Sequence, residues 1–410
     1  MDINNIIIDK DSFRDKKLEY HEIKVIAVGG AGNNAINRLA ETGINGVDLI
    51  AINTDLQDLQ KVKVPIKIQI GKTITEGLGA GSNPEIGRNA VIENLKEIED
   101  VIDATTDGSS GRTQTVIIVA GMGGGTGTGA APVIAKACAD RNILTIGMIM
   151  IPDITEGEER YKNAELGLEE IKKYLDSLIV VDNTKLANID EEFIGDAYGM
   201  ADMILYDSVK AILDIRTKQG IQNIDHADLV KVLKKKDKND PAMAALIGSS
   251  KSKGENRAMN VIKSAINSPL LKDNDITGAN WAIFVTITNE NKEDPNAARL
   301  RKNEKIDIVE HLNKAVGKNV NKKWGYYSDE NYTEEIELII VVAGFNESER
   351  TNIQKDIIIP NDEKTKIEFL EMENRTNDKT LFNNKFDITN FEYLKDLDTI
   401  DNNINKIENK

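Results

Sequence analysis

The chain has 410 residues, with 52 Lys plus Arg against 68 Asp plus Glu, a formal net charge of −16. A surface that acidic repels phosphate backbones and excludes general nucleic-acid binding, but it leaves room for one phosphate pocket built from backbone N–H groups. The single cysteine, Cys138, rules out an intrachain disulfide or a cysteine-rich metal cage and fits a reducing compartment.

Residues 1–20 hold only a three-residue apolar run, Ile6, Ile7 and Ile8, too short for the core of a signal peptide. No stretch approaches the roughly 20 apolar residues of a membrane helix, so a cytoplasmic, soluble chain is expected. From residue 23 short apolar strands alternate with amphipathic helices. A strand at 23–28 precedes a glycine-rich turn and a helix at about 34–41. Strands follow at 47–53 and 66–70, and Asn83-Pro84 reads as a helix start, with Asn as N-cap and Pro at the first helical position. Further strands at 115–120, 144–151 and 177–181 continue the alternation. This pattern predicts an α/β fold with a parallel sheet covered on both faces.

A long helix is expected over about 196–218, where Ala197, Ala201, Leu205, Val209, Ile212 and Ile215 recur at three- and four-residue steps. Gly220 stands where a helix C-terminus favours a left-handed residue. Beyond it, 221–345 reads as a second, smaller α/β domain that opens with a helix, and its strands at 281–287 and 336–342 suggest a mixed sheet. The expected organisation is an N-terminal extension (1–21), a parallel-sheet domain (22–195), a connecting helix (196–220), the second domain (221–345) and a polar linker and tail (346–410). The tail is glycine-free after Gly344 and carries one apolar cluster, Phe391, Tyr393, Leu394 and Leu397. Cys138, His21, His311, Trp281 and Trp324 read as structural residues, with Cys138 a small buried packing residue.

Four features carry chemistry. The first is Val28-Gly29-Gly30-Ala31-Gly32-Asn33-Asn34-Ala35, which from Gly30 matches G-x-G-x-x-A, with Asp55 near the end of the next strand. That is the dinucleotide fingerprint, and it keeps a nicotinamide-dependent oxidoreductase in view. The second is Gly121-Met122-Gly123-Gly124-Gly125-Thr126-Gly127-Thr128-Gly129, in which six of nine residues are glycine. Each glycine costs roughly 0.5–1 kcal/mol of ordering relative to Ala. The expectation is therefore that packing does not account for the density and that the loop wraps an anion. Thr126 and Thr128 would add hydroxyl donors, and the following helix N-terminus its partial positive charge. No lysine stands in the P-loop position.

The third set is Glu156 with Arg160 and Tyr198 with Asp202, each pair at i and i+4. The plain reading of the first is a surface ion pair, and of the second an exposed helix end. The sharper reading is a sugar contact and a guanine reader, since a carboxylate accepts from both N1–H and the exocyclic amine. The fourth is Asn223-Ile224-Asp225-His226-Ala227-Asp228. Asp225 and Asp228 share one face of the helix starting there. Either Asp225 or Asn223 caps the helix and Asp228 stabilises its first turn, or the two carboxylates orient a water for phosphoryl transfer.

Taken together these residues resemble the FtsZ family of prokaryotic tubulin-like division GTPases, over about residues 22–345. The segments that carry the resemblance are Gly29 to Ala35, Asn53-Thr54-Asp55, Gly77-Leu78-Gly79-Ala80-Gly81, Gly121 to Pro132, Glu156-Gly157 with Arg160, and Asn223 to Asp228. Gly254-Glu255-Asn256-Arg257-Ala258 and Ser268-Pro269-Leu270-Leu271 extend it into the second domain.

The resemblance implies a tubulin/FtsZ-like fold: a Rossmann-type GTPase domain joined by a long central helix to a smaller activating domain. It implies that Gly30, Ala31, Gly32, Asn33 and Asn34 cradle the phosphates of GTP or GDP together with Gly121, Met122, Gly123, Gly124, Gly125, Thr126, Gly127 and Thr128. Glu156, Arg160 and Asn183 would approach the ribose, and Tyr198 and Asp202 would read guanine. Mg²⁺ would sit mainly on phosphates and water. Asp225, Asp228 and Asn223 would act on the nucleotide of the next subunit. The contact would then be head-to-tail, non-closing and filament-forming, with the division site at mid-cell as the place of work. Three positions depart from the family pattern: His226 stands where Phe is usual, Asp153-Ile154-Thr155 replaces a Phe-rich lead-in, and Asp182 replaces a Pro. The tail segment 387–395, with Phe391, Tyr393 and Leu394, partly echoes the family's partner peptide and would bind a membrane tether. A scaffold that binds GTP but hydrolyses it poorly is the remaining competitor.

Overall fold

The strand Ile23–Val28 (β2) alternates its side chains between two cores. Ile26 and Val28 join one buried cluster, and Val25 and Ala27 the other. That period of two is the pleat of a strand buried on both faces. The computed structural model describes residues 6–8, 21–41, 43–44, 46–104, 112–183, 194–218, 220–268, 276–294, 297–317 and 319–345. Phe391, Tyr393 and Leu394 lie outside the described residues.

In chain order the first elements are β1 (Ile6–Ile8), β2, α1 (Gly29–Glu41), β3 (Asp48–Asn53), α2 (Leu56–Lys61), β4 (Ile66–Gln69), α3 (Lys72–Thr75), α4 (Pro84–Glu93) and α5 (Leu95–Asp103). Then come β5 (Thr115–Gly121), α6 (Thr126–Asp140), β6 (Leu144–Ile151), a 3-10 turn Ile154–Glu156, α7 (Glu158–Ile171) and β7 (Ser177–Asp182). The long helix is α8 (Ile194–Thr217). It is followed by β8 (Gly220–Gln222), α9 (His226–Leu233), β9 (Met243–Ser252), α10 (Arg257–Ile266), β10 (Ala279–Thr288), α11 (Lys302–Val316), β11 (Asn321–Ser328) and β12 (Ile336–Phe345).

One sheet runs through these residues in the order β1-β4-β3-β2-β5-β6-β7-β9-β12-β10-β11-β8. The stretch from β4 to β7 is parallel, in the register Ile52↔Ile68, Val28↔Ile52, Val28↔Ala120, Gly121↔Met150 and Ile151↔Asp182. Helices α4, α5, α6 and α7 supply Ala90, Ile98, Ile134 and Leu168 to one face. Helices α1, α2 and α8 supply Ile36, Leu59 and Val209 to the other. The second half is mixed: β9, β12 and β10 pair antiparallel, while β10 and β11 pair parallel. The two halves meet in a short parallel contact, Ser177↔Met243 and Leu178↔Ala244.

The structure corrects two local expectations. The helix after β2 begins at Gly29 rather than near Asn34, so the glycine-rich turn is itself the first helical turn. Gly220 is not a left-handed cap: it opens β8, and a Cβ there would come within 2.0 Å of Tyr326 O. Glycine is needed at that point because one backbone passes directly against another. The second half accordingly opens with a strand, and the helix α9 follows it.

Candidate functional site

Strands β2 and β5 are neighbours, yet the chain leaves β2 toward β3 and β4 on one side and leaves β5 toward β6 and β7 on the other. The crevice beyond the carboxyl ends of such a strand pair is where open α/β sheets bind ligands. Both glycine-rich segments stand there, at the N-termini of α1 and α6. They touch each other. A Cβ on Gly29 (φ +74°) would lie 3.0 Å from Gly127 N, and one on Gly121 would lie 2.7 Å from Ala31 Cβ.

The glycines divide into two groups. In the 121–129 loop, a Cβ on Gly127 would come within 2.2 Å of Gly121 O, and one on Gly129 within 1.9 Å of Pro84 O. Gly125 abuts Ala80 and Asn83, and Gly123 (φ +97°) abuts Arg160 and Pro152. Packing thus explains most of the glycine density, contrary to expectation. Gly30 and Gly124 are different. A Cβ on either would meet nothing within 4 Å, and neither has a positive φ. Their missing side chains leave open space on the cradle side.

Asn33 is 2% exposed, and both its amide atoms lack a hydrogen-bond partner. A buried unpaired amide costs about 1–3 kcal/mol, so it points to a group from outside the chain. Asn183 at the end of β7 likewise buries an unpartnered Oδ1. The first i→i−4 bond of α6 runs from Gly129 N–H to Gly125 O, so the N–H groups of Thr126, Gly127 and Thr128 precede the ladder and carry the positive end of the dipole. The threonine hydroxyls brace the loop. Thr128 Oγ1 accepts the Gly123 N–H at 2.9 Å, and Thr126 Oγ1 pairs with Thr54 Oγ1 at 2.7 Å. Thr54 was not singled out for this role from spacing.

At the rim, Glu156 Oε2 pairs with Arg160 Nη1 at 3.0 Å, and Glu156 Oε1 accepts the Asp153 N–H. The close approach of Gly123 to Arg160 joins this turn to the cradle. Tyr198 and Asp202 fall in the first half of α8, and their side chains lie outside the described residues. Asp55 caps α2 by accepting the Asp58 N–H at 3.0 Å.

The acid pair stands elsewhere. Asp225 is the N-cap of α9 and accepts the Asp228 N–H at 2.7 Å. Asp228 Oδ1 meets Lys323 Nζ of β11 at 2.5 Å, a partner that spacing did not reveal. Asn223 Oδ1 accepts the Gly220 N–H at 2.8 Å. This loop follows α8, whose 24 residues span about 36 Å. Arg216 near its end reaches Glu22 at 3.5 Å, and Glu22 O takes the N–H groups of Gln114 and Thr115. Glu22 and Gln114 precede β2 and β5, so the end of α8 that leads into the acid loop lies at the amino ends of these strands, opposite to the carboxyl ends that carry the glycine cradle.

Comparison with known proteins decides the family. Residues 22–191 match the model of the tubulin/FtsZ family GTPase domain, and residues 243–346 match the FtsZ family C-terminal domain. Cell division protein FtsZ 1 of Pyrococcus horikoshii is 38% identical over 344 residues, 84% of this chain and 86% of that protein. The chain belongs to the FtsZ family. Cell division protein FtsZ of Caulobacter vibrioides is 41% identical over 268 residues, 65% of this chain and 50% of that one. A solved structure titled "FtsZ dimer, empty" from M. jannaschii superposes with a TM-score of 0.67 at 37% identity, covering 82% of this chain and 90% of that chain. CetZ2 from Haloferax volcanii, titled as a GTPgS-bound protofilament, shares the fold at 21% identity and a TM-score of 0.65, over 86% of this chain and 99% of that chain.

FtsZ membership makes this a cell-division cytoskeletal GTPase, with GTP and GDP as the ligands of its first domain and a division-site role. It removes the oxidoreductase reading. Among the described residues no helix is long and apolar enough to cross a membrane.

Proposed function

We propose that the chain binds GTP in the glycine cradle and hydrolyses it only when a second copy docks head-to-tail. In this reading residues 22–195 bind the nucleotide, α8 connects, and residues 221–345 activate the neighbour. The observation that carries the proposal is the separation of two incomplete halves. The carboxyl ends of β2 and β5 have open glycines and an orphaned buried amide, with no carboxylate among residues 30–34 and 121–128. The loop with Asp225 and Asp228 follows the end of α8 that reaches the amino ends of these strands. One subunit cannot bring them together, but two stacked subunits can. Titles of solved relatives that name a dimer and a protofilament support self-association.

In the docked pair, the N–H groups of α1 and α6 and the Asn33 amide hold phosphate oxygens. Glu156, Arg160 and Asn183 approach the ribose, and Tyr198 with Asp202 selects guanine. Asp225 and Asp228 of the neighbour orient a water in line with the γ-phosphate and accept its proton density, while Asn223 shapes their loop through Gly220. A Mg²⁺ ion fits this donor set only through phosphate oxygens and water, because the cradle offers neutral groups whose hydroxyls are already engaged. Bound there it would neutralise charge on the transferring phosphoryl group. Loss of the γ-phosphate then weakens the contact that triggered hydrolysis. The filament would work in the cytoplasm at mid-cell. Phe391, Tyr393 and Leu394 are proposed to bind a membrane tether, and a pull-down in which removing residues 387–410 leaves tether binding unchanged would sink that part.

The main test is GTP turnover per subunit against protein concentration, with light scattering in the same cuvette. Turnover and scattering should rise together above a threshold. Constant turnover per subunit would put catalysis within one chain. Scattering without turnover would favour a non-hydrolysing scaffold.

A further inference from the structure

Thr54 follows Asn53, the last residue of β3, which pairs with Gln69 of β4, and precedes Asp55, the N-cap of α2. Its carbonyl accepts the Thr75 hydroxyl at 3.4 Å, and the residue is 0% exposed. Its position is therefore set from both sides. Thr126 opens α6 and is equally hemmed in: a Cβ on Gly29 would stand 3.4 Å from Thr126 Cβ, and one on Gly87 3.0 Å from Thr126 Cα. The two hydroxyl oxygens meet at 2.7 Å, the usual length of an O–H···O bond.

Each hydroxyl has one proton, and only one of the two lies between these oxygens. Among the described residues, Thr126 Oγ1 is the one partner of Thr54 Oγ1. If Thr126 donated, the Thr54 proton would be buried with no acceptor, and a buried donor left unpaired carries its full desolvation cost. The arrangement that avoids this cost has Thr54 donating and Thr126 accepting. The Thr126 proton is then left for an acceptor from outside the chain, at the positive end of the α6 dipole. Thr128 repeats the pattern, since its oxygen accepts the Gly123 N–H. Hydroxyls that accept from the chain itself offer a ligand only their protons, which suits an anion.

We propose that Thr54 is a positioning residue for the nucleotide: it donates to Thr126 Oγ1 and so turns the Thr126 proton toward a phosphate oxygen in the cradle. The inference rests on the reading that residues 121–128 hold the phosphates of GTP and GDP. Thr54 acts through Thr126 alone. Thr54→Val keeps the branched shape and removes only the hydroxyl, so the Thr126 O–H is free to rotate away from the phosphate. Thr54→Ser keeps the donor.

The test is a double-mutant cycle on the full chain. Calorimetric titration gives the affinity for GDP and for a non-hydrolysable GTP analogue, and thermal melting is followed alongside. Thr126→Val should weaken binding of at least one of the two about 10–100-fold, the scale of a hydrogen bond to a charged group. Thr54→Val should weaken the same ligand about fivefold, and Thr54→Ser should restore it. Added to Thr126→Val, Thr54→Val should cost no further affinity. It should also raise the melting temperature above that of Thr126→Val, which leaves the buried Thr54 proton without an acceptor. A Thr54 that only braces the fold would lower the melting temperature in both backgrounds and add its loss of affinity to that of Thr126→Val. That result overturns the inference, as does full affinity in Thr54→Val while Thr126→Val is impaired. Full affinity for both ligands in Thr126→Val and in Gly124→Ala overturns the cradle reading itself, and the inference with it.

Discussion

Gly29 and Gly127 bring the two phosphate-loop candidates into contact: a Cβ on Gly29 would stand 3.0 Å from Gly127 N. They come from segments almost a hundred residues apart in sequence and meet because β2 and β5 are adjacent in the sheet. The cradle is therefore one structure built from two helix starts, and its glycines are not equivalent.

Gly124→Ala and Gly127→Ala should separate binding from stability. The first adds a methyl group to open space in the cradle. It should weaken GTP binding about tenfold, about 1.4 kcal/mol, with the melting temperature retained. The second forces a Cβ within 2.2 Å of Gly121 O and should destabilise the fold by about 1–3 kcal/mol. Nucleotide titration and thermal melting on both variants check this, and equal melting temperatures would refute the division.

The two acids should fail differently. Asp228→Ala keeps nucleotide binding and should slow turnover by about 10²–10⁴-fold. Asp225→Ala should slow turnover too, but it also removes the cap of α9, at about 1 kcal/mol. Turnover and melting measured side by side distinguish them. Near-normal turnover in Asp228→Ala would take this acid out of the mechanism.

Leu78 is 79% exposed beside the cradle and Ile221 is 77% exposed beside the acid loop. Large apolar side chains at both ends suit a head-to-tail contact. Either Leu78→Asp or Ile221→Asp should raise the assembly threshold by about 10–100-fold, the equivalent of about 1.5–3 kcal/mol of lost burial. Sedimentation against concentration reads the threshold, and an unchanged value in both variants would exclude these residues from the interface.

In the second half, Arg257 donates to Glu304 at 2.8 and 3.0 Å and to the carbonyls of Ala298, Arg299 and Glu334. Burial pushes the Glu304 carboxyl up, but Arg257 and the Arg301 N–H outweigh it and hold it below the usual range. A depressed value means that stability is present above the unfolded value of about 4.3 and is lost as pH falls through the folded value. Arg257→Met leaves a buried carboxylate unpaired and should cost about 3–5 kcal/mol at neutral pH. Denaturant melts at pH 7 and pH 4 should show the variant's deficit shrinking at the lower pH. A deficit independent of pH would mean that packing rather than charge is lost.

Cys138 is fully buried, and burial pushes its thiol up to about 12. A thiol reagent should label it only as the chain unfolds. Rapid labelling of the native chain would contradict the packing of α6.

The strands β2, β3, β5, β6 and β7 were legible because parallel strands covered on both faces read as near-continuous apolar runs. The starts of α4 at Asn83-Pro84 and of α9 near Asp225 were legible because a cap is a local hydrogen bond: the Glu85 N–H donates to Asn83 and the Asp228 N–H donates to Asp225, although spacing alone left Asn223 as the other candidate cap of α9. β9 and β11 were not legible. β9 is rich in Ala, Gly, Ser and Lys, and its extended form comes from pairing with β12 rather than from propensity. The same holds for Asn321–Ser328, which β10 and β8 hold in place.

The sequence by itself determined which chemical groups are present and how they are spaced: two glycine-rich helix starts, an acid pair one turn apart, and the motif set that marks the family. Only the tertiary structure decided that most glycines of the second loop are packing residues, that Gly30 and Gly124 face open space, and that Asn33 is buried without a partner. It also decided that the acid loop stands at the opposite ends of the strands from the cradle and that Asp228 meets Lys323. Each of these is a relation between segments distant in the chain. Local spacing carries no information on how such segments approach one another, whereas strand order and helix length do.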